Sequence, residues 1–307
     1  MTILIVGKEE DLTSIVIKEK VAYRGIPAYY LDTRQFPYKT RLSFNIESPT
    51  EGVFQEAPHQ PVVPLGDIRG VFRRWSDGVV VPADETDPLR RRLVQRNLES
   101  AINTFFNLLD CQWVNTAEAT DRHRQKGVLL KELKQAGIRV PETLISNHPE
   151  EVKAFYEQLN GQAIFKPVFS WASTEALMPE HLTDESLARL SNMPITVQEL
   201  INGTDLRIYV VGQEVFAMEI RSETLDFRDD PGATRVAIKL PMDIEARCIE
   251  ITRRLGLVFC GIDMRRTPDG EYVFFEGNPT PVFLMDEDMT GYPIGDRIVD
   301  LLTQGER

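Results

Sequence analysis

A hairpin towards the C-terminal end of the chain carries side chains that could bind a metal ion and phosphate. Its turn is the sequence TPDG at residues 267–270, which separates two short strands. If Arg266 lies opposite Glu271, antiparallel pairing sets Asp263 opposite Phe274. The register of this hairpin therefore decides which side chains share a face.

In that register Glu276 lies one diagonal step from Asp263 on the same face, and Asn278 and Arg265 share it. The opposite face would carry apolar side chains: Ile262, Met264, Val273 and Phe275. Carboxylate and amide oxygens are hard ligands, which Mg²⁺ accepts together with phosphate oxygens. A solvent-facing hairpin with scattered charges is the alternative, and the separation of the two faces favours a site.

Composition limits the classes of function. The 307 residues carry a net charge of −12, which argues against binding to nucleic acid. No apolar run is long enough for a membrane span, and the first residues do not resemble a signal peptide. The three cysteines are far apart in apolar surroundings, which favours free thiols and a cytoplasmic location.

The N-terminal region is predicted to be α/β. Strands at Thr2–Val6 and Ala28–Leu31 flank a helix over residues 11–24, a βαβ pattern that indicates a parallel sheet. Its first turn lacks the glycine spacing of a dinucleotide-binding fingerprint. Arg73 and Arg74, at the end of a strand that reaches Trp75, could meet a carboxylate or phosphate, or could equally be surface charges.

Helical periodicity predicts a long helix over residues 87–109 that buries one apolar stripe on this sheet. The stripe consists of Leu89, Leu93, Leu98, Ala101, Phe105 and Leu108. The polar segment 115–121 then ends the N-terminal domain. Residues 222–235 are polar and contain proline, which predicts a mobile loop beside the site.

Two lysines stand out in the central region. Lys126 lies in the first turn of a predicted helix, where a lysine is usually solvent-exposed. Lys166 interrupts an apolar strand, so its burial is costly unless it meets negative charge, which makes it the better phosphate candidate. The histidines fall in polar segments, where we expect ordinary surface residues: His59, His123, His148 and His181.

Five segments in this order resemble the ATP-grasp ligases, in the branch of ribosomal-protein glutamate ligases and graspetide (microviridin-type) ring-forming ligases. They are QKGVLLKELKQAGIRVPETLIS, AIFKP, TVQELINGTDLRIYVVGQEVFAMEI, GIDMRRTPDGEYVFFEGNP and TGYPIGDRIVDLL, and they span about residues 115–302. The resemblance implies an α+β ATP-grasp fold after an N-terminal α/β (pre-ATP-grasp) domain. The expected domains are residues 1–115, a small lobe at 116–192 and a large lobe at 193–307.

The resemblance also implies a nucleotide site that binds ATP. Lys126 and Lys166 match the two lysines that hold the ATP phosphates. Further nucleotide contacts are implied at the hinge and near the ribose: Glu199, Leu200, Ile201 and Asp205. The family's glycine-rich loop is replaced by PVFSWAS at residues 167–173, which has no glycine.

The metal ligands implied by the resemblance are Asp263, Glu276 and Asn278, the same set that the hairpin pattern indicates. Arg265 would lie beside the transferred phosphate, and Arg207 would face the phosphates; these two are the expected catalytic residues. Mg²⁺ and the lysines would neutralise phosphate charge while a carboxylate attacks the γ-phosphorus.

The expected activity is therefore ligation of a carboxylate to an amine or hydroxyl through an acyl phosphate, with a peptide as the leading candidate substrate. A ligase that adds a free amino acid to a peptide or small carboxylate is the first alternative. The glycine-free loop motivates a second, a non-catalytic protein that binds nucleotide or peptide. A homodimer is implied by the family resemblance alone.

Overall fold

The computed structural model describes residues 1–74, 78–169 and 173–304. Trp75 and part of the PVFSWAS loop, residues 170–172, lie outside the described residues. The α-helices described are α1 (Leu12–Tyr23), α2 (Pro88–Leu108), α3 (Ala117–Arg122), α4 (Lys126–Gln135), α5 (Pro149–Gln158), α6 (Asp184–Leu187), α7 (Met242–Arg254), α8 (Leu284–Thr290) and α9 (Ile294–Thr303). None of them combines the length and apolar composition needed to cross a bilayer.

Within the described residues, the strands form four sheets. They are β1 (Thr2–Val6), β2 (Ala28–Leu31), β3 (Arg41–Ser43), β4 (Val53–Gln55), β5 (Val63–Pro64), β6 (Ile68–Arg73), β7 (Gln112–Val114), β8 (Thr143–Ser146), β9 (Ala163–Pro167), β10 (Glu175–Ala176), β11 (Ile195–Glu199), β12 (Thr204–Val211), β13 (Glu214–Arg221), β14 (Thr234–Ile238), β15 (Phe259–Arg266) and β16 (Tyr272–Asn278).

The chain divides into two compact units. The first contains Met1–Thr120, Leu257–Phe259 and Pro279–Arg307, and the second contains Asp121–Gly256 and Cys260–Asn278. The finer division into domains 1–115, 116–192 and 193–307 stays a prediction.

A parallel sheet of order β2-β1-β6-β7 forms the centre of the first unit, as the βαβ pattern predicts. Every residue of β1 is buried, so this strand has neighbours on both faces. Asp11 caps α1 by accepting a hydrogen bond from the Ser14 amide at 2.8 Å. Strands β3, β4 and β5 form a small antiparallel sheet in the same unit.

Helix α9, from the C-terminal part of the sequence, completes the first unit. It packs against α1, β6 and β7. Lys20 pairs with Asp296 at 3.0 Å and Arg24 with Asp300 at 2.6 Å. A side chain at position 70 would come within 2.6 Å of the Leu302 carbonyl oxygen, so only glycine allows this close approach.

Arg73 and Arg74 are both buried, so the expectation of surface charges was wrong for both. Arg74 donates to Asp11 through Nε at 3.1 Å and to the Thr280 carbonyl through Nη1 at 2.6 Å. Its guanidinium therefore ties β6 to α1 and to the segment that follows β16. The role of Arg74 is structural, because a buried guanidinium needs such partners.

The predicted stripe of α2 is only partly buried. Ile102, Phe105 and Phe106 pack into the core, whereas Leu89 and Leu93 are exposed. The last turns of the helix therefore pack into the core, whereas its first turns do not. Periodicity predicted the helix and its ends but not this difference in burial.

Asn115 connects three separate segments of the first unit. Its Oδ1 accepts from the Val258 and Phe259 amides at 2.8 and 3.1 Å. Its Nδ2 donates to the Phe259 and Pro279 carbonyls at 2.7 and 2.8 Å. The side chain is buried and its amide is fully used, so these backbone groups depend on one residue.

We expect Asn115→Ala to lower the free energy of unfolding by about 2–4 kcal/mol, because it removes the hydrogen-bond partner of several buried backbone groups. Urea denaturation followed by circular dichroism measures the change. Asn107→Ala is the matched control: Asn107 is exposed on α2, and we expect its loss to change stability by about 0.5 kcal/mol or less. Equal effects of the two substitutions would contradict the connecting role of Asn115.

Two antiparallel sheets form the second unit. One has the order β10-β9-β11-β8, and the other has the order β14-β13-β12-β15-β16. Helix α7 packs against β12 and β13. Parallel pairing in the first unit and antiparallel pairing in the second agree with the predicted α/β and α+β classes.

Candidate functional site

All of the predicted site residues line one cavity of the second unit, with a volume of about 350 Å³. They come from several elements: Lys126 begins α4, Lys166 lies on β9, Glu199 ends β11, and Leu200 and Ile201 follow it, while Asp205 and Arg207 lie on β12, Asp263 and Arg265 on β15, and Glu276 and Asn278 on β16. A volume of this size is typical of a small-molecule site. The roles of these residues stay predictions.

The hairpin register differs from the predicted one. Arg266 pairs with Tyr272, and Asp263 pairs directly with Glu276. Two features cause the shift. The Thr267 amide donates to the Glu271 carbonyl at 2.9 Å, so these two residues lie opposite each other. The loop between them is residues 268–270, one residue shorter than the predicted loop 267–270. A β-bulge between Asp263 and Met264 then adds one residue to β16.

The bulge also moves Phe275, which was predicted to lie on the apolar face. Phe274 pairs with Met264, and both are buried. Phe275 is the unpaired residue, and it lines the cavity. Its ring centroid lies 5.7 Å from Cζ of Arg265, within cation–π range.

Asp263 and Arg207 form an ion pair between neighbouring strands of the cavity wall, with Nη1 2.7 Å from Oδ1. The pKa of Asp263 is raised to about 6: burial is the main cause, Arg207 opposes the rise, and the nearby Glu276 carboxylate adds to it. An acidic group with a raised pKa is one that gains from an additional positive charge. Asp263 is therefore suited to hold a cation.

Glu276 carries two hydrogen-bond donors on one oxygen. Lys126 Nζ lies 2.9 Å from Oε1, and His123 Nε2 lies 3.1 Å from the same atom. Burial alone would raise the pKa of Glu276, but the His123 hydrogen bond and the Lys126 charge outweigh it and lower the pKa well below its usual range. Glu276 is thus a carboxylate near neutral pH.

His123 corrects a prediction. Its side chain is only 16% exposed and faces Glu276, so it is not an ordinary surface histidine. His123 precedes Lys126 by three residues in the sequence. That spacing was visible in the sequence, but its meaning depends on Glu276, which is distant along the chain.

Arg265 connects three parts of the cavity wall. It donates to both carboxylate oxygens of Asp205 at 2.8 Å and to the Ile201 carbonyl at 2.7 Å. A further bond reaches the Leu225 carbonyl at 3.4 Å. Burial raises the pKa of Asp205, against the opposing charge of Arg265. The guanidinium thereby holds the predicted hinge, the predicted ribose contact and the start of the 222–235 segment.

Glu199 is already engaged by protein groups. Arg139 Nη2 donates to both of its oxygens at 2.7 and 2.9 Å, and the Glu142 amide donates at 3.1 Å. Burial would raise the pKa of Glu199, but the Arg139 and Glu142 hydrogen bonds and the charge of Arg139 together outweigh it and lower the pKa. These bonds fix the end of β11 where the predicted hinge begins.

Lys166 lies among charges of both signs. Burial lowers the pKa of its ammonium, and the charges of Lys126 and Arg228 act in the same direction, while Glu276 and Asp263 oppose them. Arg228 also lines the cavity and is a cation that the sequence reasoning missed. The cavity thus brings Lys126, Lys166 and Arg228 near the carboxylates of Asp263 and Glu276, an arrangement suited to phosphate and a divalent cation.

Side-chain hydrogen bonds join the 222–235 segment to the residues before β10. Asp226 accepts from the Thr174 amide at 3.1 Å and from Arg228 Nε at 2.8 Å. Asp229 accepts from the Ser173 hydroxyl at 2.7 Å. Asp226 is buried, and the Arg228 and Thr174 bonds outweigh that burial and lower its pKa to about 2. The charged sequence LDFRDD at residues 225–230 is the pattern from which these contacts could have been predicted.

The donor set fits a hard divalent cation. Asp263 and Glu276 are opposite one another, and Asn278 follows on the same strand. In the described part of the chain, no three His, Cys, Asp or Glu side chains come together as a metal cluster. A set of two carboxylates and one amide would leave coordination positions for phosphate and water oxygens, as Mg²⁺ requires.

Comparison with known proteins agrees with this chemistry. The family model of the RimK-like ATP-grasp domain matches residues 119–302. A probable alpha-L-glutamate ligase of Vibrio atlanticus is 25% identical over 221 residues, which are 68% of this chain and 72% of the relative.

Solved structures match over the whole chain. Macrocyclase MdnC of Microcystis aeruginosa MRC, bound with precursor peptide MdnA, is 25% identical with a TM-score of 0.86 and covers 99% of this chain and 100% of that one. The ATP-grasp ligase PsnB, complexed with a phosphomimetic variant of a minimal precursor, Mg and ADP, is 26% identical with a TM-score of 0.84 and covers 100% of this chain and 99% of that one. The chain has the ATP-grasp fold that the sequence predicted, and it belongs to the RimK-like ATP-grasp family of ligases.

Proposed function

We propose that this ligase activates a carboxylate side chain of a peptide with ATP and joins it to a hydroxyl or amine of the same peptide. In the first step a carboxylate oxygen attacks the γ-phosphorus, which yields an acyl phosphate and ADP. In the second step the hydroxyl or amine attacks the acyl carbon, phosphate leaves, and a proton is released. The product is a side-chain ester or amide ring.

One observation carries the proposal: the cavity places two lysines and Arg228 near the facing carboxylates of Asp263 and Glu276. Lys126, Lys166 and Arg228 supply positive charge for the phosphates of ATP. Asp263, Glu276 and Asn278 would hold Mg²⁺, which supplies Lewis-acid stabilisation of phosphate charge when bound. Glu199, Leu200, Ile201 and Asp205 remain the proposed contacts of adenosine.

Arg207 and Arg265 are the proposed catalytic cations. Each already pairs with a carboxylate of the cavity wall, Arg207 with Asp263 and Arg265 with Asp205. These pairs hold both guanidiniums in fixed orientations. A cation fixed before reaction can stabilise the oxyanion that forms when the nucleophile attacks the acyl phosphate.

Similarity to ATP-grasp enzymes bound to precursor peptides supports the peptide as substrate. The runner-up, transfer of a free amino acid, is favoured by the glutamate-ligase relatives. The three cysteines are free thiols, which suits the proposed cytoplasmic location. The proposed homodimer and the three-domain division are carried over from the family resemblance.

Mass spectrometry tests the proposed reaction. The protein is incubated with ATP, Mg²⁺ and a peptide that is encoded beside its own gene and contains Asp or Glu together with Ser, Thr or Lys. We expect the peptide to lose the mass of one water for each ring, and mild alkali to restore that mass where the ring is an ester. Omission of ATP is the control.

Other outcomes separate the alternatives. The same reaction supplied with free glutamate tests the runner-up, which predicts a gain of one residue mass instead of a loss of water. Nucleotide binding without any change in peptide mass would favour the non-catalytic alternative and would contradict the ligase proposal.

A further inference from the structure

His123 lies in a position that the proposed reaction does not yet use. It occupies the turn between α3 and α4, and its Nε2 lies 3.1 Å from Glu276 Oε1. Apolar side chains close the space around this contact: Leu129, Leu130, Leu255 and Phe274. The remaining gap is about 20 Å³, which is room for about one water. The His123 side of the hydrogen bond therefore lies among apolar groups.

The chemistry of the two groups fixes the direction of this bond. An ionised carboxylate only accepts hydrogen bonds, so His123 Nε2 must carry the proton. Lys126 donates to the same oxygen, at 2.9 Å. Both donors are thus on Oε1, and a carboxylate held through one oxygen has its rotation fixed and its other oxygen available as a ligand.

Lys126 has a second task in the proposed function, because it is one of the lysines assigned to the ATP phosphates. A lysine that turns towards phosphate weakens its bond to Glu276. His123 has no such competing assignment, so it is the partner that can keep Oε1 in place throughout the reaction. Groups that hydrogen-bond to metal-ligating carboxylates orient them and tune metal affinity.

We propose that His123 is a positioning residue for the cation site: its Nε2–H holds Glu276 Oε1 so that Oε2 is presented to Mg²⁺. This inference rests on the proposed function, since it takes Glu276 as a cation ligand. His123 is assigned no direct bond to the metal, in agreement with the lack of a three-residue His/Asp/Glu cluster among the described side chains. In the sequence, this arrangement corresponds to a histidine three residues before Lys126, the first of the two lysines proposed to bind phosphate.

A matched pair of substitutions tests the hydrogen bond apart from packing. Gln and Met have similar length, but only Gln has an N–H that can reach a carboxylate. Mn²⁺ replaces Mg²⁺ because its free form is counted by electron paramagnetic resonance. We expect His123→Met to raise the dissociation constant of Mn²⁺, measured in the presence of ADP, by about 10- to 100-fold. His123→Gln is expected to keep most of the wild-type affinity. The control His59→Ala, at an exposed position in the first unit, is expected to bind Mn²⁺ with wild-type affinity.

A kinetic measurement gives a second readout. We expect His123→Met to raise the KM for Mg²⁺ while kcat at saturating Mg²⁺ stays close to the wild-type value. Circular dichroism confirms that each variant is folded, and the apolar surroundings of His123 suit methionine. If the Met variant does not fold, the Gln variant is compared with His123→Leu.

Three results would overturn the inference. Wild-type Mn²⁺ affinity in the folded Met variant would show that the hydrogen bond does not matter. Equal losses in the Gln and Met variants would show that packing, not the N–H donor, is responsible. If the wild-type protein with ADP binds no Mn²⁺, the proposed cation site itself fails, and that result is distinct from the other two.

Discussion

Replacing Glu276 by Gln is expected to abolish release of ADP while the protein stays folded. The Gln amide has the same size, and its oxygen can still accept from His123 and Lys126 at the position of Oε1. The substitution removes the negative charge opposite Asp263. It also puts an NH₂ group at the position of Oε2, the proposed cation ligand. Metal-ion stabilisation contributes several kcal/mol to such reactions, and each 1.36 kcal/mol is a factor of ten, so we expect a loss of roughly 100- to 1,000-fold or more.

A coupled assay of ADP release, with the peptide that gives the highest wild-type rate, measures this effect. Glu157→Gln on α5 is the matched control, because Glu157 is an exposed residue of the same unit that lies outside the cavity lining. The control should turn over at the wild-type rate. Turnover of Glu276→Gln at that rate would be incompatible with its assignment as a cation ligand.

Replacing Lys166 by Met is expected to weaken nucleotide binding and to stabilise the protein without nucleotide. A charge-assisted hydrogen bond to phosphate contributes about 1.5–3 kcal/mol, so the dissociation constant of ATP should rise about 10- to 100-fold. Burial lowers the pKa of Lys166, which shows that its charged form is disfavoured where it lies. Methionine has similar length and no charge, so the melting temperature should rise by a few degrees, at roughly 2–4 °C per kcal/mol.

Calorimetry of ATP binding and thermal denaturation with and without ATP measure the two effects. Lys131→Met is the control, since Lys131 is exposed on α4 and lies outside the cavity lining. The opposite signs of the two changes are the test. A lower melting temperature together with unchanged ATP affinity would indicate that Lys166 has a purely structural role.

The sequence predicted which residues would be near one another better than it predicted how they would be paired. Alternation along β15 and β16 was enough to bring Asp263 and Glu276 to one region. The register was wrong because a bulge has no reliable sequence pattern, and one extra residue moved Phe275 from the core side to the cavity. Local rules describe strands, whereas register depends on tertiary packing.

Contacts between distant segments were the other limit. His123 could not be assigned from its own surroundings in the sequence, because only the fold brings Glu276 to it. Arg74 was left open between two roles for the same reason, and its partners, Asp11 and Thr280, lie far away along the chain. The order of motifs predicted the ATP-grasp fold, since five matching segments constrain a whole chain even where single contacts stay hidden.

The place of α9 in the first unit has a consequence for biosynthesis. The sheet β2-β1-β6-β7 is translated early, but the helix that packs against β6 and β7 is made only after all residues of the second unit have been translated. Until then the nascent chain lacks the helix that packs against β6 and β7, so apolar surface on these strands is open to wrong partners. The second unit, by contrast, has all its residues once Asn278 is made, so it can fold first and the N-terminal half last.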